Sequence, residues 1–205
     1  MSAAASPAAL HDEYIRLAPG QIATVITHLE MHAPPRLRPE PAGHKFEICH
    51  ARTPDLAGYR ALYRRVGENW LWFSRLLLDD RGLAALVHRP EIEVHILRVD
   101  GSDEGILELD FRRMPDVEIS FLGVTKKFIG TGAGRFLMNR ALEIGWARSP
   151  RRVTVHTCTL DHPNALAFYL RSGFRPYARS VEIADDPRVH GILPLTAAPH
   201  VPIVR

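Results

Sequence analysis

Three glycines at alternate positions, Gly130, Gly132 and Gly134, separate a strand-like run from Val117 to Phe128 from an apolar-periodic one that opens at Phe136. Glycine lets the backbone take positive φ and lets a ligand approach closely. The first turn of a helix carries free N–H groups with partial positive charge, so a strand–glycine loop–helix unit suits a phosphate group. The same run also serves as a tight turn, and the glycines alone do not choose between the two. A Walker loop needs Lys-Ser or Lys-Thr after its last glycine, and here Arg135-Phe136 follows. A dinucleotide fingerprint needs a Gly-x-Gly-x-x-Gly spacing early in the chain, and this run has neither property. His156, Cys158 and His162 are a second set with chemical capacity, but their spacing lacks a fourth ligand in an obvious place, so no metal is expected.

The loop and a second segment together resemble the GNAT superfamily of acetyl-CoA-dependent N-acyltransferases. That family's loop reads Gln/Arg-x-x-Gly-x-Gly/Ala after a strand that usually ends in valine. Val124, Gly132 and Gly134 occupy the corresponding places, and Ile129 stands where the family has Gln or Arg. Downstream, Asn164-Ala-Leu-Ala-Phe168-Tyr169-Leu-Arg-Ser-Gly173-Phe174 is similar to the family's Asn-x-x-Ala-x-x-x-Tyr-x-x-x-Gly-Phe segment. The resemblance covers roughly residues 44 to 180. It implies acetyl-CoA as co-substrate, with its pyrophosphate on the backbone amides of Ile129, Gly130, Thr131, Gly132, Ala133, Gly134 and Arg135. It further implies that the backbone of Leu122 and Val124 pairs with the pantetheine arm as a strand would, and that Asn164 and Phe168 border that arm.

Acyl transfer to an amine needs a base for the amine proton and is helped by an acid for the leaving thiolate. The resemblance to the histone-acetyltransferase branch makes Glu118 the candidate base, directly or through a water; the other reading is a surface or paired glutamate. In a regular strand Glu118, Ser120 and Leu122 share one face. Tyr169 is the candidate acid, since a phenol of pKa ~10 can protonate a thiolate; the other reading is an aromatic that packs against the arm or the core. Asn164 serves the cofactor arm or the start of a helix. A histidine assisting proton transfer is open, and Cys158 as an acyl carrier is disfavoured because the family transfers directly. Trp70 and Trp72, with Phe73, shape either the acceptor pocket or a core or dimer contact.

The elements that must hold these groups are read from periodicity. Strands are expected at His44–Arg52, Glu91–Val99, Gly105–Arg112, Asp116–Thr125, Arg152–Cys158 and Phe174–Ile183, with a hairpin at Asp100-Gly101. Helices are expected at Asp55–Val66, Glu68–Leu78, Arg81–His88, Gly132–Ala147 and Pro163–Ser172. Pro19–Met31 has β-branched density but helical spacing of Ile22, Val25, Ile26 and Leu29, and is read as a helix starting near Pro19. The order gives an α+β fold with a mixed, mostly antiparallel twisted sheet flanked by helices. In the family that this resembles, the fourth and fifth strands splay apart for the pantetheine arm. The expected organisation is an N-terminal extension and Pro-rich linker over 1–43, with residues 1–12 frayed, a GNAT-like domain over 44–186, and a C-terminal tail over 187–205.

Composition bounds the rest. The chain has 205 residues, 46% hydrophobic and 24% charged, an ordinary globular balance for one domain with an extension. A formal net charge of +3 suits an anionic co-substrate but does not argue for nucleic acid. Two cysteines and a start without a charged, then apolar, leader point to a cytoplasmic setting. No run approaches the ~18 apolar residues of a membrane span. The expected activity is therefore acetyl transfer from acetyl-CoA to a primary amine, on a small molecule or a peptide, with a homodimer as one open assembly. The alternatives are an acyl-CoA-binding sensor or assembly module, kept open by Ile129, and a protein-directed enzyme that uses the N-terminal extension.

Overall fold

The computed structural model describes residues 13–205 and contains one seven-stranded sheet. In chain order its elements are β1 (Gln21–Met31), β2 (Phe46–Ala51), α1 (Leu56–Gly67), α2 (Asp80–Val87), β3 (Ile92–Val99), β4 (Ser102–Asp110), β5 (Asp116–Val124), α3 (Ala133–Trp146), β6 (Arg152–Cys158), α4 (Ala165–Arg171) and β7 (Arg175–Asp185). The sheet order is β2-β3-β4-β5-β6-β1-β7, and the β5–β6 pair is parallel while the others are antiparallel. The α+β class and the mixed sheet are as the sequence predicts. The frayed terminus expected at residues 1–12 lies outside the described residues.

Helix starts follow the sequence rules. Asp55 accepts a bond from the Gly58 N–H and Asp79 one from the Gly82 N–H, which satisfies first-turn donors of α1 and α2. Asp100 and Gly101 both take positive φ, 49° and 82°, as the hairpin between β3 and β4 requires. One face of the sheet packs on α3 through Leu97, Leu107, Leu109, Ile119, Phe136, Leu137, Ala141 and Leu142. The other face packs on α1 and α2 through Tyr59, Leu62, Tyr63, Val66, Leu83, Val94 and Ile106.

Two expected helices are absent. Gln21–Met31 is a strand, β1, paired with β6 on one side and β7 on the other. Pairing on both edges goes with the β-branched residues rather than the helical spacing: Leu29 and Met31 reach the α3 core, while Ile22 packs on the opposite side. The boundary expected at residue 44 therefore lies between two strands of one sheet. Glu68–Leu78 holds only a short 3-10 turn, Glu68–Trp70. Leu71 takes φ 52°, and the chain folds back so that the Trp72 N–H bonds Gly67 O at 3.0 Å. Gly67 and Gly123 leave the space that the Trp72 indole fills; a Cβ on Gly123 would stand 2.5 Å from Val66 and 3.0 Å from the indole.

The segment after residue 186 packs against this unit. Arg188 is buried, pairs with Asp186 at 2.7 Å, and donates to the carbonyls of Ala197, Ala198 and Val201. Leu193, Ala197 and Ala198 then close over Ile22 and Leu71.

Candidate functional site

Strands β5 and β6 pair only from Asp116–Ile119 to Arg152–Val155 and diverge beyond. These are the expected fourth and fifth strands, renumbered by the extra strand at the start. A cleft of ≈ 590 Å³ opens where they part. The β5 edge facing it is unpaired past Ile119 among the described residues. Thr125 N–H bonds Glu104 O on the β4 side, so by alternation the N–H and C=O of Val124 and Leu122 point into the gap.

A bulge between Glu108 and Leu109 leaves Ser120 unpaired on β5, which shifts the alternation by one. The expectation that Glu118 and Leu122 share a face fails for this reason. Leu122 joins Ile119 on the α3 side, and Phe121 joins the α1 side.

One end of the cleft is the glycine loop. Gly130 and Gly132 take positive φ, 82° and 92°, and Gly132 precedes the first turn of α3. Among the described residues no acceptor takes the N–H of Gly130, Gly132, Gly134 or Arg135. An added Cβ on Gly130 or Gly134 would meet nothing within 4 Å, whereas on Gly132 it would strike the Pro41 ring. The segment before β2 thus lies across the loop: Arg135 donates to Pro39 O at 3.0 Å and Asn139 to Arg38 O at 2.9 Å. A diphosphate fits this cradle, with unpaired amides on a helix start and the Arg38 and Arg135 guanidiniums among the lining groups. Thr131 and Ala133 shape the turn, and Ile129, half exposed, also lines the cleft.

Asn164, Phe168 and Tyr169 come to the same cleft from α4. Asn164 stands before the helix but makes no side-chain cap bond, so its amide is free for a ligand. Tyr169 is buried, and no group among the described residues bonds its hydroxyl. Burial, and then the Asp161 charge, push its pKa well above the usual phenol value.

Glu118 is not on the cleft wall; His156 is, and the two are bonded, Nδ1 to Oε1, at 3.2 Å. That bond, ahead of the opposing effect of burial, lowers the Glu118 pKa and raises that of His156. The sequence singles out both residues separately, but only the parallel β5–β6 register brings them together. His162 and Cys158 do not join His156 as one ligand set: the Asn164 N–H bonds His162 Nδ1, and burial pushes the Cys158 thiol up. Among the described residues the group with metal-like spacing is instead His50, Glu93 and His95, at the far end of α3, where Arg148 pairs with Glu93.

The other end of the cleft is aromatic, with Tyr63, Trp70, Trp72, Phe73 and Phe121. Trp72 is a strut: it contacts Tyr63 and Phe121 and donates to Asp161 at 3.2 Å. Trp70 stands on the rim, edge-on to His162 with centroids 5.0 Å apart. Sequence reasoning missed Asp161, which also accepts from Thr157 and the Cys158 N–H and so fixes the turn after β6.

A splayed pair of strands, an amide-lined loop before a helix and a tyrosine beside the cleft are the arrangement that the resemblance in the sequence implies. The chain belongs to the acetyltransferase (GNAT) family, whose model matches residues 59–174. A mycothiol acetyltransferase of Beutenbergia cavernae is 34% identical over 117 residues, which is 56% of this chain and 33% of that protein. The chain thus spans about a third of the length of that curated relative. An aminoglycoside acetyltransferase from an uncultured soil metagenomic sample superposes with TM-score 0.52 at 20% identity, over 63% of this chain and 88% of that one. A GCN5-related N-acetyltransferase from Sphaerobacter thermophilus gives TM-score 0.54 at 17% identity, over 88% and 54%. These structural likenesses establish the fold.

Proposed function

We propose that this chain transfers an acetyl group from acetyl-CoA to a primary amine of a small molecule, by direct attack of the amine on the thioester. The observation that carries the reading is one cleft with unpaired amides at one end, an aromatic wall at the other, and His156 and Tyr169 between them. The co-substrate supplies the activated acyl group. The open β5 edge holds its arm in line, and the loop amides with Arg38 and Arg135 hold its phosphates. His156 takes the amine proton, with Glu118 orienting the imidazole and stabilising its charged form. Glu118 is then the supporting carboxylate rather than the group that meets the amine. Tyr169 returns a proton to the thiolate as the C–S bond breaks. The aromatic wall favours an acceptor whose amine sits on a planar or apolar body, and two of the relatives are named for small-molecule acceptors, mycothiol and an aminoglycoside.

Two variants test this. Gly134→Trp puts an indole at the loop with little backbone cost, since a Cβ there meets nothing within 4 Å and φ is not positive. It is expected to keep its melting temperature and to weaken acetyl-CoA binding by at least ~100-fold in calorimetry, the loss of about two charge-assisted bonds. Unchanged binding in folded protein rejects the loop as the phosphate site. Tyr169→Phe is expected to bind acetyl-CoA normally and to lose roughly 10²-fold in kcat. A drop confined to KM would instead make Tyr169 a packing residue.

A further inference from the structure

At the end of α3 away from the glycine loop, three side chains able to ligate a metal converge, and none of them lines the cleft. His50 stands directly opposite His95 on the β2–β3 pair, and Glu93 is two residues before His95. Alternation puts all three on one face of the sheet. It is the α3 face, since the next pair along it, Ile48 and Leu97, packs there. Glu93 and His95 are buried, at 8% and 5% exposure, while His50 on the edge strand is open to solvent. One ligand atom from each lies within 4.8 Å of the other two.

Ionic pairing accounts for only part of this arrangement. Arg148 donates to Oε1 of Glu93, and His95 Nε2 is bonded to Oε2 at 2.9 Å. That set is complete without His50. Yet the His50 ring stacks on His95, with centroids 4.5 Å apart, and among the described residues no group bonds either of its nitrogens. Burial, and then the neighbouring His95, lower the His50 pKa, and the bond to His95 lowers that of Glu93. A neutral imidazole and an ionised carboxylate are the forms that bind a metal.

We propose that His50, Glu93 and His95 bind a zinc ion, with a solvent molecule in the fourth position. Two imidazoles and a carboxylate are a ligand set that zinc takes. Donor atoms on a tetrahedral ion with bonds of about 2.1 Å stand ~3.4 Å apart. Zinc takes the place of the proton between Glu93 Oε2 and His95 Nε2, and that pair opens by about 0.5 Å. The His95 ring proton then sits on Nδ1, and the exposed His50 swings in as the third ligand. Arg148 keeps Oε1 and orients the carboxylate, as outer-shell partners do. Its charge also opposes the ion, so micromolar affinity is expected. The bound ion fastens the edge strand β2 to β3, and the site is independent of the proposed reaction.

Calorimetric titration of the EDTA-treated full chain with zinc chloride is expected to show one equivalent bound. His50→Ala breaks no side-chain bond among the described residues, so it is expected to stay folded. It should lose at least ~10-fold in zinc affinity, the scale of loss that outer-shell partners alone produce. Glu93→Gln keeps an acceptor for Arg148 and is expected to lose as much. Zinc at ~100 times its Kd is expected to raise the wild-type Tm by roughly 5–10 °C, and that of His50→Ala by much less at the same concentration. Cobalt(II) reports the ligand types: d–d absorption without a thiolate charge-transfer band is expected, because alternation turns Cys49 to the other face. Circular dichroism checks that each variant is folded. A wild type that does not bind zinc, an affinity unchanged in His50→Ala, or a thiolate band would overturn the inference. So would loss of binding in His156→Ala with His50→Ala unaffected, which places the ion at the His28–His156 pair.

Discussion

Replacing His156 with alanine is expected to lower kcat by about 10²–10⁴-fold, the usual contribution of a positioned general base, with acetyl-CoA affinity unchanged. The wild-type rate should rise with pH. The bond to Glu118 is the largest influence on His156 and raises its pKa, with burial opposing. The imidazole accepts the amine proton only after it has lost its own. The rate therefore climbs as pH passes a value above the ordinary imidazole pKa of about 6.5. Glu118→Gln removes the main raising influence and leaves the lowering one, so the acid limb should move to lower pH while the plateau falls. A pH profile of kcat/KM for the three proteins checks this. If Glu118 met the amine itself, Glu118→Gln would be the dead variant and His156→Ala would keep most of its rate. That outcome would return the base role to the carboxylate.

The local parts of this site were readable in the sequence because local chemistry determines them. The glycine loop needs positive φ at Gly130 and Gly132, and the hairpin needs it at Asp100 and Gly101. The expected strands match β3, β5 and β6 to within a residue at each end, while β4 starts three residues earlier and ends two earlier than expected. Three features were not readable, each for a physical reason. Gln21–Met31 carries both a period-3.6 pattern and β-branched residues, and only the sheet positions on either side of it, filled by β6 and β7, favour the strand. The bulge at Ser120 shifts which residues share a face with Glu118, and the shift is hidden because Phe121 and Leu122 are apolar on opposite faces. The Glu118–His156 pair depends on parallel register between segments 38 positions apart, which no spacing rule carries. The strap of Arg38 to Pro41 over the loop is likewise a tertiary contact. Proline there correctly signalled irregular backbone and said nothing of where that backbone would rest.

The aromatic wall of the cleft depends on a second long-range pair, between Arg75 and Glu108. Glu108 lies on β4 with its side chain fully buried. Arg75 Nη2 reaches its Oε1 at 2.5 Å, and the Tyr59 hydroxyl donates to Oε2 at 2.7 Å. The guanidinium also lies over the Phe121 ring, 4.8 Å from its centroid. This latch ties the irregular segment that carries Trp70, Trp72 and Phe73 to the sheet. Arg75→Ala leaves a buried carboxylate with a single phenol for company, and breaking a buried pair on one side costs about 3–5 kcal/mol. For a chain of this size that corresponds to a fall in Tm of roughly 6–20 °C. The double variant Arg75→Met, Glu108→Leu removes both charges and should recover most of the loss, because a buried pair contributes little over an apolar replacement of similar volume. The segment should loosen in Arg75→Ala before the whole chain melts, so KM for the amine should rise more than KM for acetyl-CoA. Thermal denaturation of the single and double variants, with both KM values, checks the latch. A single variant within about 1 kcal/mol of wild type would mean that water reaches Glu108. Equal changes in the two KM values would mean that the segment does not form the acceptor wall.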